Sequence, residues 1–214
     1  MGLTQLQDFR LRLQAALGNF NYDNALLDVW INAGIQEVSG AVVFDDLEER
    51  IDFPIEDGVY RYDAPTDMIR PISLAWPSGA AWLLKTSKSR LDHLQRTTEA
   101  TPKLWAYEHN EIVIWPTPDA DATLTLLYCK EHPLLVDDTE VTLLPAAWDN
   151  AVYYFSVSAA MLDLGDDERG TFWHNKAVQY AGSRLTDAEF GTEAVTEPVK
   201  VVTKGNELYR QQPR

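Results

Sequence analysis

Thr101-Pro-Lys-Leu-Trp-Ala-Tyr-Glu-His-Asn-Glu-Ile-Val-Ile-Trp-Pro-Thr-Pro-Asp119 is the stretch whose reading decides the fold. Two short apolar runs flank His109-Asn110, a dipeptide placed where a tight turn belongs. Pro116-Thr-Pro-Asp119 then stops the second run, since proline offers no donor to a strand ladder. A further strand pattern, Ala122 to Tyr128, follows at once. The spacing predicts an antiparallel meander built for shape, with no acid, base or metal cage within it.

Upstream, Ile51, Phe53 and Ile55 alternate with Asp52 and Glu56, and Pro54 marks an edge strand. Asp57-Gly58 is a turn dipeptide, and Tyr60 and Tyr62 alternate beyond it, so a hairpin is expected here. A second hairpin is expected where Ile69 to Trp76 and Ala81 to Leu84 flank Pro77-Ser78-Gly79. Ser89 to Arg96 reads as a short helix across the sheet.

Both ends of the chain have helical periodicity. Thr4 and Gln7 have capping-box spacing before Leu6, Phe9, Leu13 and Leu17, and Gly18 ends the run. A second helix starts near Asp23, with Leu27, Trp30, Ile31, Ile35 and Val38 on one face and Gly40 at its close. Pro145 opens a later helical stretch whose alanines, Ala151 and Ala160 among them, suit close packing. Gly165-Asp166-Asp167 breaks it, and a last helix runs from about Glu168 to Phe190.

The expected class is α+β: a helical bundle from the N- and C-terminal helices, a central inserted antiparallel meander of barrel-like form, and an extended C-terminal arm. The boundaries are residues 1–47 for the first hairpin of helices, 48–139 for the β insert, 140–190 for the second helical pair and 191–214 for the arm.

The formal charge of −15 disfavours binding to nucleic acid and to anionic membrane surfaces. No apolar run approaches the roughly 20 residues that span a bilayer, and the first residues lack a signal-peptide pattern. The single cysteine, Cys129, lies in an apolar run and reads as a core residue, compatible with a reducing compartment.

No constellation carries a recognisable reaction, and no cofactor is implied. His93, His109, His132 and His174 have no zinc-ligand spacing. The pairs Asp45-Asp46, Asp137-Asp138 and Asp166-Asp167 adjoin helix ends, where carboxylates cap and solvate. The seven tryptophans are spread over every element. They read as core or interface anchors, with an aromatic ligand platform as the alternative. Residues 191–214 differ in character: Lys200, Lys204, Arg210 and Arg214 slightly outweigh Glu193, Glu197 and Glu207. This end reads as a free tail or as an arm that orders on a partner.

The order of segments carries a resemblance. Trp30-Ile31-Asn32 is followed by Tyr62-Asp-Ala-Pro-Thr-Asp67 with Arg70, then by Pro102, Tyr107 and Ile112 to Trp115 with Pro116-Thr-Pro-Asp119. Tyr128 leads to Pro133-Leu134, and Leu144-Pro145-Ala-Ala-Trp148 opens the last helical pair. From about Leu3 to Leu185 the chain resembles the head–tail adaptor (connector) proteins of short-tailed and related bacteriophages. It departs from many relatives in having Thr101, not glycine, shortly before the proline of the meander.

The resemblance implies a non-enzymatic virion protein at the head–tail junction, assembled in the host cytoplasm. Copies would form a ring, usually twelve-fold, beneath the portal, with tail, nozzle or tail-fibre proteins on the other side and genomic DNA passing without specific binding. On this reading Trp30, Asn32, Trp148 and Trp173 are subunit-interface or packing anchors. Asp45, Asp46, Asp166 and Asp167 are possible channel acids, and Val199, Val201, Val202, Leu208 and Tyr209 supply apolar contact to the portal. The competing class is a non-catalytic carbohydrate- or peptide-binding module, and the third reading is a hydrolase with an unrecognised site.

Overall fold

The computed structural model describes residues 4–18, 20–77, 81–94 and 98–191. In chain order the elements are α1 (Leu6–Ala16), α2 (Asn24–Ala41), β1 (Glu48–Ile55), β2 (Arg61–Asp63), β3 (Met68–Ala75), β4 (Leu84–Lys85), α3 (Lys88–Asp92), β5 (Leu104–Glu108), β6 (Glu111–Trp115), β7 (Ala122–Lys130), α4 (Asp149–Asp163) and α5 (Asp167–Gly191). Short 3-10 turns occupy Asp45–Leu47 and Ala146–Trp148. The class is α+β. The chain forms two compact units, one from residues 1–43 with 132–214, the other from 44–131.

In the helical unit, α1 and α2 bury the faces that periodicity marks: Leu6, Phe9 and Leu13, then Leu27, Trp30, Ile31, Ile35 and Val38. Helix α1 begins one step later than its expected cap. Gln5 precedes it, and the Asp8 carboxylate accepts the Gln5 N–H at 3.3 Å. Thr4 instead gives its hydroxyl proton to Asp149. Asp23 caps α2, accepting from the Ala25 N–H, and α2 runs through Gly40 to Ala41.

Helix α4 packs against both α2 and α5. Its small residues make this possible, since Ala151 and Ala160 are fully buried. At Gly34 of α2 an added Cβ would lie 2.4 Å from the Ser156 hydroxyl oxygen and 2.7 Å from the Val152 carbonyl oxygen of α4. Only glycine permits that approach.

Residues 132–144 form a strap on this unit; the sequence reading divided them between the β insert and the second helical pair. Asn32 grips the strap twice, donating to the Leu135 carbonyl at 2.9 Å and accepting the Leu135 N–H at 2.8 Å. Gln36 donates to the His132 carbonyl. At the other end the Leu6 and Gln7 N–H groups, which no helical carbonyl can reach, donate to the Glu140 and Asp138 carbonyls.

The β unit has two sheets, ordered β1-β7-β3 and β2-β6-β5-β4, and no closed barrel among the described residues. The expected barrel-like meander is corrected in one respect. Strands β5 and β6 do pair, turning at His109 and Asn110, which both take positive φ (53° and 64°). After the cis Trp115–Pro116 bond and Pro118, however, β7 leaves for the other sheet and runs between β1 and β3.

The Ile51–Tyr62 hairpin is corrected in the same way. Gly58 turns at φ 72°, but β1 pairs with β7 over its whole length while β2 pairs with β6. The long register places Phe53 opposite Leu124 and Ile51 opposite Leu126, burying more apolar surface than a three-residue β2 offers. Pro54 does sit on an edge strand. The second hairpin forms as a short one: the Trp76 N–H donates to the Ala81 carbonyl at 3.0 Å and the Leu83 N–H to the Leu74 carbonyl at 2.9 Å.

Both sheets enclose one core that includes Phe53, Leu74, Trp105, Ile112, Leu124 and Leu126. The opposite face of β5–β6, Ala106 and Val113, is covered by Leu91 of α3. That double burial explains why 112–115 reads as an unbroken apolar run.

Candidate assembly surfaces

Three of the four anchors fall on the interior side of the helical unit. Trp30 is 2% exposed, donates its indole N–H to Asp163 at 3.1 Å and meets the Tyr22 ring edge-on at 5.5 Å. It thereby ties the middle of α2 to the end of α4. Asn32 is the strap clamp described above, and Trp148 is buried at the entry to α4, where its N–H closes a turn on Pro145.

Trp173 differs. It is half-buried on α5 amid an aromatic group that includes Tyr153, Tyr154, Phe172 and Tyr180. Cations lie over these rings: Arg12 is 4.4 Å from the centre of Tyr153, and Lys176 is 4.5 Å from Tyr154 and 4.6 Å from Trp173. Arg184 is 5.1 Å from Tyr180 and donates to its phenol oxygen. Burial raises the Tyr153 phenol, so it stays protonated at neutral pH. Each such contact contributes about 0.5–1 kcal/mol at an exposed site. Phe172, at the rim, is 61% exposed.

The four acids divide between the units. Asp45 and Asp46 are exposed in the 3-10 turn of the β unit. In the helical unit Asp166 accepts the Arg169 N–H at 3.1 Å as a cap of α5, and Asp167 is exposed in its first turn. The arm residues Val199, Val201, Val202, Leu208 and Tyr209 lie outside the described residues.

Sequence reading did not single out Arg10. This guanidinium is 8% exposed, bonds Asp28 at 2.5 and 2.7 Å, and also pairs with Asp138 of the strap. The Asp28 bond raises its pKa despite desolvation, so it remains charged. A buried cation inside an apolar helical face was the available signal: Arg10 sits between Phe9 and Leu13.

The motif residues behind the resemblance have building roles. The Tyr62 hydroxyl donates to the Val59 carbonyl at 2.6 Å. Asp67 accepts from the Tyr128 hydroxyl at 3.1 Å, and its carbonyl accepts the Glu131 N–H. Burial, with help from Asp67, pushes the Tyr128 phenol up to about 12.

Among the described residues no three His, Cys, Asp or Glu side chains could hold a metal ion, and no helix is long and apolar enough to cross a membrane. His93, His109 and His174 are exposed, each on a different element or turn. Cys129 is buried, and burial raises its thiol above the ordinary value. Among the described residues, an open depression in the β unit is lined by Trp76, Ala81, Thr101, Pro102, Asp119, Ala120 and Ala122, with one aromatic ring and one carboxylate.

The exposed aromatic rim of the helical unit is a surface of the kind that packs against other proteins. The family model for SU10 adaptor protein matches residues 1–199, so the chain belongs to the SU10 adaptor protein family. The resemblance to phage head–tail adaptors is borne out. The protein is thus a phage adaptor with a structural role, a component of the virion that works with other head or tail proteins. No curated protein matches the chain.

Proposed function

We propose that the chain is the ring-forming subunit that joins the portal of a DNA-filled capsid to the tail. Copies stand side by side, in twelve-fold number, around the channel through which the genome passes. One face receives the portal and the other receives tail, nozzle or fibre proteins. Assembly takes place in the host cytoplasm, and the protein converts no substrate.

The observation that carries this reading is the family match over residues 1–199. A ring subunit needs two different patches that meet head to tail. The helical unit offers exposed apolar side chains on more than one element, including Val29, Val136 and Phe172. A sugar- or peptide-binding module would instead need several rings around one hollow, and among the described residues Trp76 is the one aromatic side chain that lines the depression in the β unit.

The arm, with Val199, Val201, Val202, Leu208 and Tyr209, supplies the portal contact. The test is reconstitution with purified portal, read by sizing and negative-stain microscopy. The full chain should give portal particles bearing an added ring. A chain ending at Phe190 should keep its helical circular dichroism and fail to bind portal. Full binding by the shortened chain removes the role of the arm; a full chain that never associates with portal removes the ring reading itself.

A further inference from the structure

Most charges on the helical unit are negative, and its few cations are placed selectively. Arg10 is enclosed by Asp28 and Asp138, and Arg169 pairs with Asp166 at 3.6 Å. Arg12, Lys176 and Arg184 instead lie on the aromatic rings of α4 and α5. The result is a rail: rings held by mutual packing, cations held on the rings, and Phe172 exposed beside them. Aromatic groups with a pre-positioned cation are the side chains that dominate protein interfaces.

The strap has the opposite character. Leu134 and Val136 are 63% and 70% exposed, because the Asn32 clamp turns Leu135 inward and its neighbours outward. The exposed Asp137 follows, and Glu140 accepts both the Val136 and Asp137 N–H groups. Those bonds depress the Glu140 carboxyl below its usual value and keep it ionised. The strap is held by α2 and the start of α1, whereas the rings of the rail belong to α4 and α5, with Arg12 from further along α1 over one of them. A single subunit therefore presents two different patches, one apolar with negative charge and one aromatic with cations on its rings, where the half-buried Asp149, bonded by Thr4, is the nearby carboxylate.

We propose that the rail of one copy docks on the Leu134–Glu140 stretch of the next, and that this contact is the repeating seam of the ring. The inference rests on the ring reading above and names the surface that performs it. Charge complementarity selects the occupant. A protein carrying −15 overall repels nucleic acid, and the strap supplies the carboxylates the rail accepts. Two different patches that complement each other are also what head-to-tail packing around a ring requires.

The test compares the wild-type chain with Lys176→Glu, Asp137→Lys and the double variant. Each is mixed with portal and followed by sedimentation and negative-stain microscopy, with thermal melting as the folding check. Asp137 is exposed, so Asp137→Lys should melt as the wild type does. Lys176 is half-buried on the Tyr154 and Trp173 rings, so Lys176→Glu should melt slightly lower, and Lys176→Gln, which loses the same ring contacts without reversing the charge, is its control. Each single reversal repeats at every seam and should raise the concentration needed for ring formation about tenfold or more. The double variant should recover much of the loss, and Lys176→Arg should assemble normally.

Single variants that assemble like the wild type, or a double variant no better than either single, overturn the seam. Wild-type rings in that same experiment leave the ring reading standing. A wild-type chain that stays single with portal overturns that reading, and the seam falls with it. A short DNA duplex bound by the wild type at low salt but not by Lys176→Glu would make the rail a nucleic-acid surface and also overturn the proposal.

Discussion

His132 shows how much one side chain can settle. It is 1% exposed, its Nε2 accepts the Leu143 N–H at 2.9 Å, and its Nδ1–H donates to the Pro133 carbonyl at 2.6 Å. Both nitrogens are therefore used by a neutral ring of fixed tautomer. Protonation places a charge in a buried site and strands the Leu143 donor, which costs about 1–3 kcal/mol. Burial accordingly lowers the His132 pKa below its ordinary value. The unfolded chain takes up the proton first, so stability is full above about pH 6.5 and falls as pH drops through the folded value. The helical unit should lose denaturant resistance between neutral pH and about pH 5, before the carboxylates protonate. His132→Gln, with no titrating ring, should flatten that part of the profile; an equally steep fall in the variant would assign the effect elsewhere. From sequence, His132 announced only that it precedes Pro133. Its partner lies eleven positions on, and no local pattern carries such a pairing. Asn32 was legible through the resemblance, but its grip on Leu135 was not, for the same reason.

At the scale of elements, the helices were legible because each buries one stripe, and the stripe repeats in the sequence. Strands were also legible, but their partners were not. Alternation at 51–55 shows a half-buried strand without saying which strand lies beside it, and β1 took the longer neighbour β7 over the nearer β2. The Pro116-Thr-Pro-Asp119 break was read as a stop; it also marks the point where the chain changes sheets. Close approach of α2 and α4 was half legible, since the alanines of α4 announced a close neighbour while a single glycine at position 34 carries no pattern of its own. Gly34→Ala tests that crossing. Alanine favours a helix over glycine by about 1 kcal/mol. Against that, its Cβ would lie 2.4–2.8 Å from the hydroxyl and backbone atoms of Ser156 and the carbonyl of Val152. Helix α4 cannot withdraw freely because it also packs against α5. Overpacking of this kind costs about 1–3 kcal/mol, so the variant should be less stable by about 1 kcal/mol or more in urea unfolding read by helical circular dichroism. A midpoint equal to or above the wild type would show that the two helices can separate without loss.

For the whole molecule, the dominant quantity is the charge of −15, which in the proposed ring would bear on the passage of DNA. A genome moving past a basic wall would be held by phosphate contacts whose strength rises steeply as salt falls. An acidic wall repels it and leaves the channel non-adhesive. Asp45, Asp46 and Asp167 are exposed, and Asp166 is tied to α5 as its cap. If these acids face the DNA in the assembled ring, changing all four to asparagine removes four negative charges per subunit, and the ring multiplies the change by its copy number. Particles built with that variant should keep their rings, because asparagine still caps helices. They should eject DNA more slowly than wild-type particles, with the gap widening at low ionic strength, where screening is weakest. Equal ejection rates at low and high salt would mean that the acids serve solubility, and that the lining of the channel comes from other residues.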